Sequence, residues 1–155
     1  MATDVGLTAR AEFGDTMNIL VTGANGQLGT ELRNVTAGSR NNYIFSDVTS
    51  LPGVETLNLD ITNIDAVRIV CDSEKVDVIV NCAAYTNVDK AEDEPSMAML
   101  LNCTAAGNLA KVAAERDAAL IHISTDYIFH GDIPMPCKED WPTDPLGVYG
   151  STKLA

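Results

Sequence analysis

Short apolar runs alternate with longer amphipathic stretches along most of the chain. The first run, Asn18–Thr22, is rich in β-branched and aliphatic residues and ends at Gly23, a pattern typical of a strand buried on both faces. Similar runs predict four further strands, at residues 43–46, 54–59, 76–82 and 119–124. Because strands of this length separated by helices form right-handed βαβ units, the pattern predicts a parallel sheet.

The stretches between the strands predict helices. One is expected at Gln27–Val35, and a second after Thr62, the predicted N-cap, with Asp65 three residues further on. Pro95 begins a long Ala-rich helix that is expected to reach about Arg116. Together these elements predict an α/β fold, a doubly wound (Rossmann) parallel sheet with helices on both faces and strand order 3-2-1-4-5.

The two ends of the chain depart from this pattern. Residues 1–16 show no periodicity, and Met17 would be a natural start, so a loose leader is expected there. Residues 131–146 are rich in proline and are expected to form a loop, after which a new helix begins shortly before Ala155. Residues 17–155 are therefore expected to form one domain whose sheet is incomplete without a C-terminal half.

Composition narrows the function classes. The chain has 155 residues, 46% of them hydrophobic, but no apolar run of about 20 residues, so a transmembrane helix is not expected. Residues 1–16 lack the apolar centre of a secretory signal, and a cytoplasmic location is expected. The formal charge of −12, with no Lys/Arg run, argues against nucleic-acid and membrane partners.

The cysteines and histidines suggest neither disulfides nor metal ligation. The four cysteines are widely spaced, without a CxxC pair, and are interpreted as small hydrophobic residues in a reducing compartment. His122 lies in an apolar strand and His130 in a loop. Without a third ligand near either, no metal site is expected.

Three glycines between the first strand and the first helix are the first sign of a ligand. Gly23, Gly26 and Gly29 follow a GxxGxxG spacing, which allows a tight turn, close approach to a diphosphate and close helix–sheet packing. The helix N-terminus then offers N–H groups and a partial positive charge. This placement favours dinucleotide binding, although a glycine triplet alone is often only a turn.

Acidic residues after the second and third strands are candidate adenosine contacts. Asp47 can accept hydrogen bonds from a ribose and would repel a 2′-phosphate, and no Lys or Arg occurs in residues 45–50. Asp47 therefore favours NADH over NADPH, although a strand-end Asp is also an ordinary turn residue. Asp60 and Ile61 could flank the adenine or simply belong to a loop.

Tyr149 and Lys153 are four residues apart, so in a helix they share one face. Such a pair is common on protein surfaces, but here Thr125 follows the fifth strand at the end of the sheet where ligands bind. A nearby cation stabilises a phenolate, so the phenol can release its proton to a developing alkoxide. With a nicotinamide to carry hydride, this set suits carbonyl reduction.

Three longer stretches carry a family resemblance: residues 81–92, 124–129 and 148–155. With the glycine turn, they resemble the dTDP-4-dehydrorhamnose reductases, a family of extended short-chain dehydrogenases/reductases. The resemblance runs from residue 17 to the end of the chain. It implies reduction of the C4 ketone of dTDP-4-dehydro-L-rhamnose by NADH or NADPH, and it allows a homodimer of the full-length enzyme.

The resemblance also implies roles for individual residues. Tyr149 would be the proton donor, and Lys153 would be its partner and a ligand of the nicotinamide ribose. Thr125 would supply the hydroxyl that orients the reacting oxygen. The substrate would be contacted by Val88, Thr125, Asp126 and Tyr149. Besides Tyr149 and Lys153, the cofactor would be contacted by Gly23, Gly26, Gln27, Leu28, Gly29, Asp47, Asp60, Ile61, Ala83, Ala84, Tyr85 and Thr86.

Members of that family are about twice as long, and their later part forms most of the sugar-nucleotide pocket. The isolated chain is therefore expected not to turn over substrate. Two alternatives remain. One is a non-catalytic dinucleotide-binding regulatory subunit, and the other is another extended short-chain dehydrogenase, epimerase or dehydratase acting on a nucleotide sugar. The intact Tyr149, Lys153 and Thr125 argue against the first, and the absence of an Asp–Glu pair after Thr125 argues against a dehydratase.

Overall fold

The computed structural model describes residues 16–132 and 135–155. It contains one five-stranded parallel sheet in the order β3-β2-β1-β4-β5, as predicted. The strands are β1 (Asn18–Thr22), β2 (Asn42–Asp47), β3 (Leu57–Asn58), β4 (Val78–Asn81) and β5 (Ala119–His122). The doubly wound α/β fold predicted from the sequence is therefore confirmed.

Six α-helices accompany the strands in the described residues: α1 (Gln27–Val35), α2 (Ile64–Ser73), α3 (Val88–Asp93), α4 (Pro95–Met99), α5 (Ala105–Glu115) and α6 (Val148–Leu154). A π-helical segment, Leu100–Thr104, joins α4 to α5, and a short 3₁₀ helix spans Asp126–Ile128. In the described part of the chain no helix is long and apolar enough to cross a bilayer.

Alternation along β1 distributes the core over both faces of the sheet. Leu20 packs with α2 and α5 residues, including Val67 and Leu109, in the larger cluster of buried side chains. Ile19 and Val21 point the other way and pack in a smaller cluster with Leu32 of α1. Successive strand residues face opposite sides, so one short strand anchors helices on both faces.

Two element boundaries differ from the prediction for local reasons. Thr62 as N-cap of α2 was wrong, because the Asn63 carboxamide oxygen accepts hydrogen bonds from the N–H groups of Asp65 and Ala66, both at 3.1 Å. Thr62 instead donates its hydroxyl to Asp60 at 2.7 Å. The strand predicted at residues 54–59 is shortened to β3, which pairs only with the last two residues of β2.

The long helix predicted from Pro95 is interrupted by the π-helical segment, and α3 was not predicted. Strands β4 and β5 are also shorter than the runs predicted at residues 76–82 and 119–124. The described residues of 131–146 form neither helix nor strand, which agrees with the predicted loop. Apart from Thr16, the leader predicted at residues 1–16 lies outside the described residues.

Candidate functional site

A cavity of about 520 Å³ opens at the carboxyl ends of the strands. This is where the two halves of a doubly wound sheet diverge and where ligands bind in such folds. Twelve of the residues predicted from the sequence line it: Gly23, Gly26, Gln27, Leu28, Asp47, Asp60, Ile61, Ala83, Ala84, Thr86, Tyr149 and Lys153. The glycine turn and the Tyr–Lys pair, 120 residues apart in sequence, thus border one space.

Five predicted residues lie outside this lining. Gly29 is buried within α1, and the Tyr85 hydroxyl donates to Glu94 Oε2 at 2.8 Å. Val88 begins α3, while Thr125 and Asp126 lie at the start of the 3₁₀ helix after β5. Sequence reasoning assigned no ligand contact to several other lining residues, namely Val48, Leu59, Leu101, Ile123 and Ser124.

Two of the glycines are required by close backbone packing. Gly23 has φ +65°, and a Cβ there would lie 2.6 Å from the backbone N and Cα of Ala83. A Cβ at Gly29 would lie 2.5 Å from the Cα of Ala24. Only glycine lets α1 approach the end of the sheet this closely.

The N-terminus of α1 suits an anion. Its N-cap is Gly26, its first turn contains no acidic residue, and no described side chain caps it. The first-turn residues Gln27 and Leu28 line the cavity. Because the first N–H groups of a helix lack intrahelical partners and carry a partial positive charge, this end of α1 fits a diphosphate.

Asp47 lies at the end of β2 and presents a carboxylate to the same cavity. Its Oδ2 accepts from the Asn25 N–H at 3.1 Å, and its Oδ1 accepts from the Thr49 N–H at 2.9 Å and hydroxyl at 2.8 Å. Burial acts to raise the pKa of Asp47, but these hydrogen bonds outweigh it and the pKa is lowered. Asp47 is therefore ionised at neutral pH.

Tyr149 and Lys153 extend from α6 into the cavity. The Lys153 amine donates to the Ile123 carbonyl at 2.6 Å, and partial burial lowers the pKa of Lys153. The Tyr149 ring packs edge-on against Tyr127, with ring centroids 5.5 Å apart. The pair thus occupies one wall of the cavity with restricted freedom.

Thr125 lies beside this wall, at the end of the sheet. Its hydroxyl donates to Asp126 Oδ1 at 3.2 Å and accepts from the Tyr127 N–H at 3.3 Å. The hydroxyl is thereby oriented within the segment that follows β5, and Thr125 is half-buried.

Two residues outside the sequence prediction fix α6. Glu92 of α3 accepts the Val148 N–H at 2.8 Å through Oε1 and so caps the first turn of α6. Gly150 contacts the Tyr127 carbonyl so closely that a Cβ would collide with it. The charge run around Glu92, interpreted from sequence as a solvated helix start, therefore also holds the helix that carries the Tyr–Lys pair.

Asn102 was also missed by the sequence analysis. It is buried in the π-helical segment, where its Oδ1 accepts the Tyr85 N–H at 2.8 Å. Its Nδ2 donates to the Tyr85 carbonyl at 3.1 Å and to Thr152 Oγ1 at 3.0 Å. Asn102 thus joins the loop after β4 to α6. The only sequence signal was one asparagine on the apolar side of a helix.

Comparison with known proteins agrees with this geometry. A sequence model of the family described as the RmlD substrate binding domain matches residues 17–155. The dTDP-4-dehydrorhamnose reductase of Escherichia coli (strain K12) is 46% identical over 139 residues, covering 90% of this chain and 45% of the relative.

Two solved structures have the same fold. A dTDP-4-dehydrorhamnose reductase from Clostridium acetobutylicum superposes with a TM-score of 0.81 at 40% identity, covering 89% of this chain and 46% of that one. A dTDP-4-dehydrorhamnose reductase from Bacillus anthracis, in complex with NADP, gives a TM-score of 0.79 at 34% identity, with 90% and 47% covered.

This chain therefore spans less than half the length of these three relatives. The resemblance to dTDP-4-dehydrorhamnose reductases that the motifs indicated is confirmed across nearly all of the described residues. The chain belongs to the family described as the RmlD substrate binding domain.

Proposed function

We propose that this chain is the cofactor-binding half of a dTDP-4-dehydrorhamnose reductase, which reduces the C4 ketone of dTDP-4-dehydro-L-rhamnose to the alcohol with NADH or NADPH. One observation carries the proposal: Tyr149 and Lys153 line the same cavity as the uncapped N-terminus of α1. A binding module without catalysis would not need the Tyr–Lys pair. The names of relatives at 46% and 40% identity support the substrate assignment.

The residues that line the cavity fit a dinucleotide from end to end. The first turn of α1, with Gly26, Gln27 and Leu28, holds the diphosphate through backbone N–H groups. The adenosine side is formed by Asp47, Asp60 and Ile61. The ribose and nicotinamide side is formed by Ala83, Ala84 and Thr86, which line the cavity. Tyr85 lies between them and holds this segment in place, because its hydroxyl is bound to Glu94 and its backbone to Asn102.

The bound nicotinamide supplies the hydride, and the chain's own residues manage the proton. Tyr149 donates its phenolic proton to the oxygen of the reacting ketone. A protonated Lys153 stabilises the resulting phenolate electrostatically and binds the ribose hydroxyls. Thr125 orients the same substrate oxygen, and Val88 and Asp126 contact the sugar.

The Asp47 carboxylate favours NADH. It can accept from one ribose hydroxyl while keeping its three bonds to Asn25 and Thr49, since a carboxylate has about four acceptor positions. A 2′-phosphate would face a like charge. The NADP complex of the Bacillus anthracis relative makes this a quantitative preference rather than an exclusion. Asp47→Asn is therefore expected to lower the ratio of the affinity for NADH to the affinity for NADPH.

Calorimetry on the 155-residue chain tests the cofactor proposal. NADH should bind with measurable heat, and Gln27→Glu should weaken it at least tenfold, because a carboxylate in the first turn repels the diphosphate while stabilising α1. Asn34→Glu places the same charge on the exposed far end of α1 and serves as the control. No heat with either reduced or oxidised coenzyme from folded protein would refute the proposal.

Catalysis is best tested in a chimera in which residues 17–155 replace the matching 45% of the Escherichia coli relative. The chimera should consume NADH stoichiometrically with the keto-sugar, whereas an epimerase would show no net loss and a regulatory subunit no reaction. Tyr149→Phe should abolish turnover and leave cofactor affinity nearly unchanged. Turnover that survives this substitution would show that Tyr149 is not the proton donor.

A further inference from the structure

Three polar side chains form a line across the sheet beneath the candidate site. Thr22, Asn81 and His122 end β1, β4 and β5 and are direct Cα partners in the parallel register. Cross-strand partners place their side chains on the same face of a sheet. Thr22 Oγ1 donates to Asn81 Oδ1 at 2.6 Å, and Asn81 Nδ2 lies 3.0 Å from His122 Nδ1. We call these three residues the Thr22–Asn81–His122 ladder.

The orientation of the Asn81 amide is fixed by its neighbours. Asn81 Oδ1 also accepts the Ala83 N–H at 3.1 Å, and a backbone N–H can only donate. The other amide atom facing His122 is therefore the Nδ2 donor. His122 Nδ1 must accept from it, so it carries no proton. In a neutral imidazole the single proton is then on Nε2.

The other side of the ring faces Lys153. His122 Nε2 lies 3.4 Å from Lys153 Nζ, which also donates to the Ile123 carbonyl. An Nε2–H group can donate to a neutral amine, but it has nothing to accept from an ammonium. The ladder therefore presents Lys153 with a donor rather than an acceptor.

Of the described groups around the amine, the Ile123 carbonyl favours the ammonium form, but no charged partner adds to it. Lys153 faces Tyr149 on its own helix and His122 and the Ile123 carbonyl on the strand side. Within residues 16–132 and 135–155 no carboxylate forms an ion pair with Lys153. Partial burial, followed by the Lys153 charge, lowers the pKa of His122, which keeps the ring neutral.

We propose that His122 is a positioning residue for Lys153: held by the ladder as the Nε2–H tautomer, it directs the amine to the Ile123 carbonyl and favours the neutral amine before cofactor binds. The meaning for catalysis rests on the proposed function, since Lys153 must be protonated to stabilise a Tyr149 phenolate. Ribose hydroxyls, which can accept from the amine, would then favour the ammonium form. Through His122, the protonation of Lys153 therefore depends on whether cofactor occupies the cavity.

The tautomer is measurable directly by ¹⁵N NMR of the imidazole rings in the cofactor-free 155-residue chain. His122 should show an unprotonated Nδ1 and a protonated Nε2 above neutral pH. His130 is an internal reference of the opposite kind, because its Nδ1 faces Asp132 Oδ2 at 2.8 Å. A protonated Nδ1 on His122 would refute the proposal, whatever the behaviour of substituted chains.

The effect on Lys153 is tested by following its ¹³Cε shift against pH. In His122→Ala water, which can accept from the amine, replaces the Nε2–H donor, so the titration midpoint of Lys153 should rise by about one pH unit. His130→Ala should leave it unchanged. An unchanged midpoint in folded His122→Ala would overturn the proposal. Both measurements omit cofactor, so their failure would leave NADH binding intact, and failure of NADH to bind would leave the ladder intact.

Discussion

Gly23 combines a left-handed backbone with a contact that leaves no room for a side chain. Its φ is +65°, and a Cβ would lie 2.6 Å from the Ala83 backbone. Gly38 has a similar φ of +85°, but a Cβ there would meet no atom within 4 Å. An alanine at Gly38 would therefore introduce backbone strain alone, whereas an alanine at Gly23 would introduce both backbone strain and steric overlap.

Gly23→Ala is expected to destabilise the protein by more than Gly38→Ala, for which left-handed strain alone costs about 1–2 kcal/mol. The additional loss at Gly23 arises because α1 must move away from the end of the sheet. Urea unfolding of the two variants measures the difference, and cofactor titration should show loss of affinity only for Gly23→Ala. Equal losses of stability would mean that the contact with Ala83 is not important.

Single residues also show where sequence reasoning succeeds and fails. The glycine spacing predicted the turn correctly, because an exposed helix start after a buried strand follows from local chemistry. The choice of Thr62 over Asn63 as N-cap failed, because both residues cap helices well and only the backbone conformation decides. The direction of Tyr85 depended on Glu94, a partner that no local pattern reveals.

At the level of elements, α6 depends on contacts from outside itself. It has seven residues, too few to be stable alone, and its first turn is capped by Glu92. Glu92→Ala should cost about 1 kcal/mol and speed hydrogen exchange at the amides of α6. Glu31→Ala, an exposed substitution on α1, is the control. Unchanged exchange at Val148 would show that the cap is dispensable.

The π-helical segment explains why one predicted helix became three parts. The Ala- and Leu-rich pattern from Pro95 onward is continuous, so periodicity predicts one regular helix. The wider turn at Leu100–Thr104 instead places Asn102 where its side chain forms hydrogen bonds with both Tyr85 and Thr152. Such a turn is stabilised by tertiary hydrogen bonds, which hydrophobic spacing does not encode.

On the scale of the whole molecule, acid should destabilise the fold through specific carboxylates. Burial opposes the shift at Asp47, but hydrogen bonds from Thr49 and Asn25 lower its pKa; the pKa of Glu94 is lowered by Lys90, and that of Glu115 by Arg68. These three carboxylates bind protons less readily in the folded state than in the unfolded state. Their contribution to the stability of the fold is therefore present above their ordinary pKa values of 3.8 and 4.5, and it is lost as the pH falls through their lower folded pKa values.

Urea midpoints measured from neutral pH to about pH 3 should therefore fall at the acid end. Asp47→Asn should reduce the acid sensitivity, because one titrating group is removed. A midpoint that rises steadily towards pH 3 would indicate that relief of the net charge of −12 dominates instead.

The strand order of the whole sheet was predictable because alternating strands and helices leave few right-handed arrangements. Strand lengths were less predictable: β3 comprises only Leu57–Asn58, which pair with the last two residues of β2. The candidate cavity follows from the strand order, since it lies where the crossovers diverge. The Thr22–Asn81–His122 ladder does not, because its register is visible only once three distant strands are aligned.

The pairing of β1 with β4 imposes an order on folding. Ala83, against which Gly23 packs, lies 60 residues further along the chain than Gly23. Parallel strands need a crossover connection between them, and such non-local contacts form slowly. The glycine turn therefore reaches the conformation described above only after β4 has docked. If this turn binds a diphosphate as proposed, coenzyme would select only molecules in which β4 is already in place.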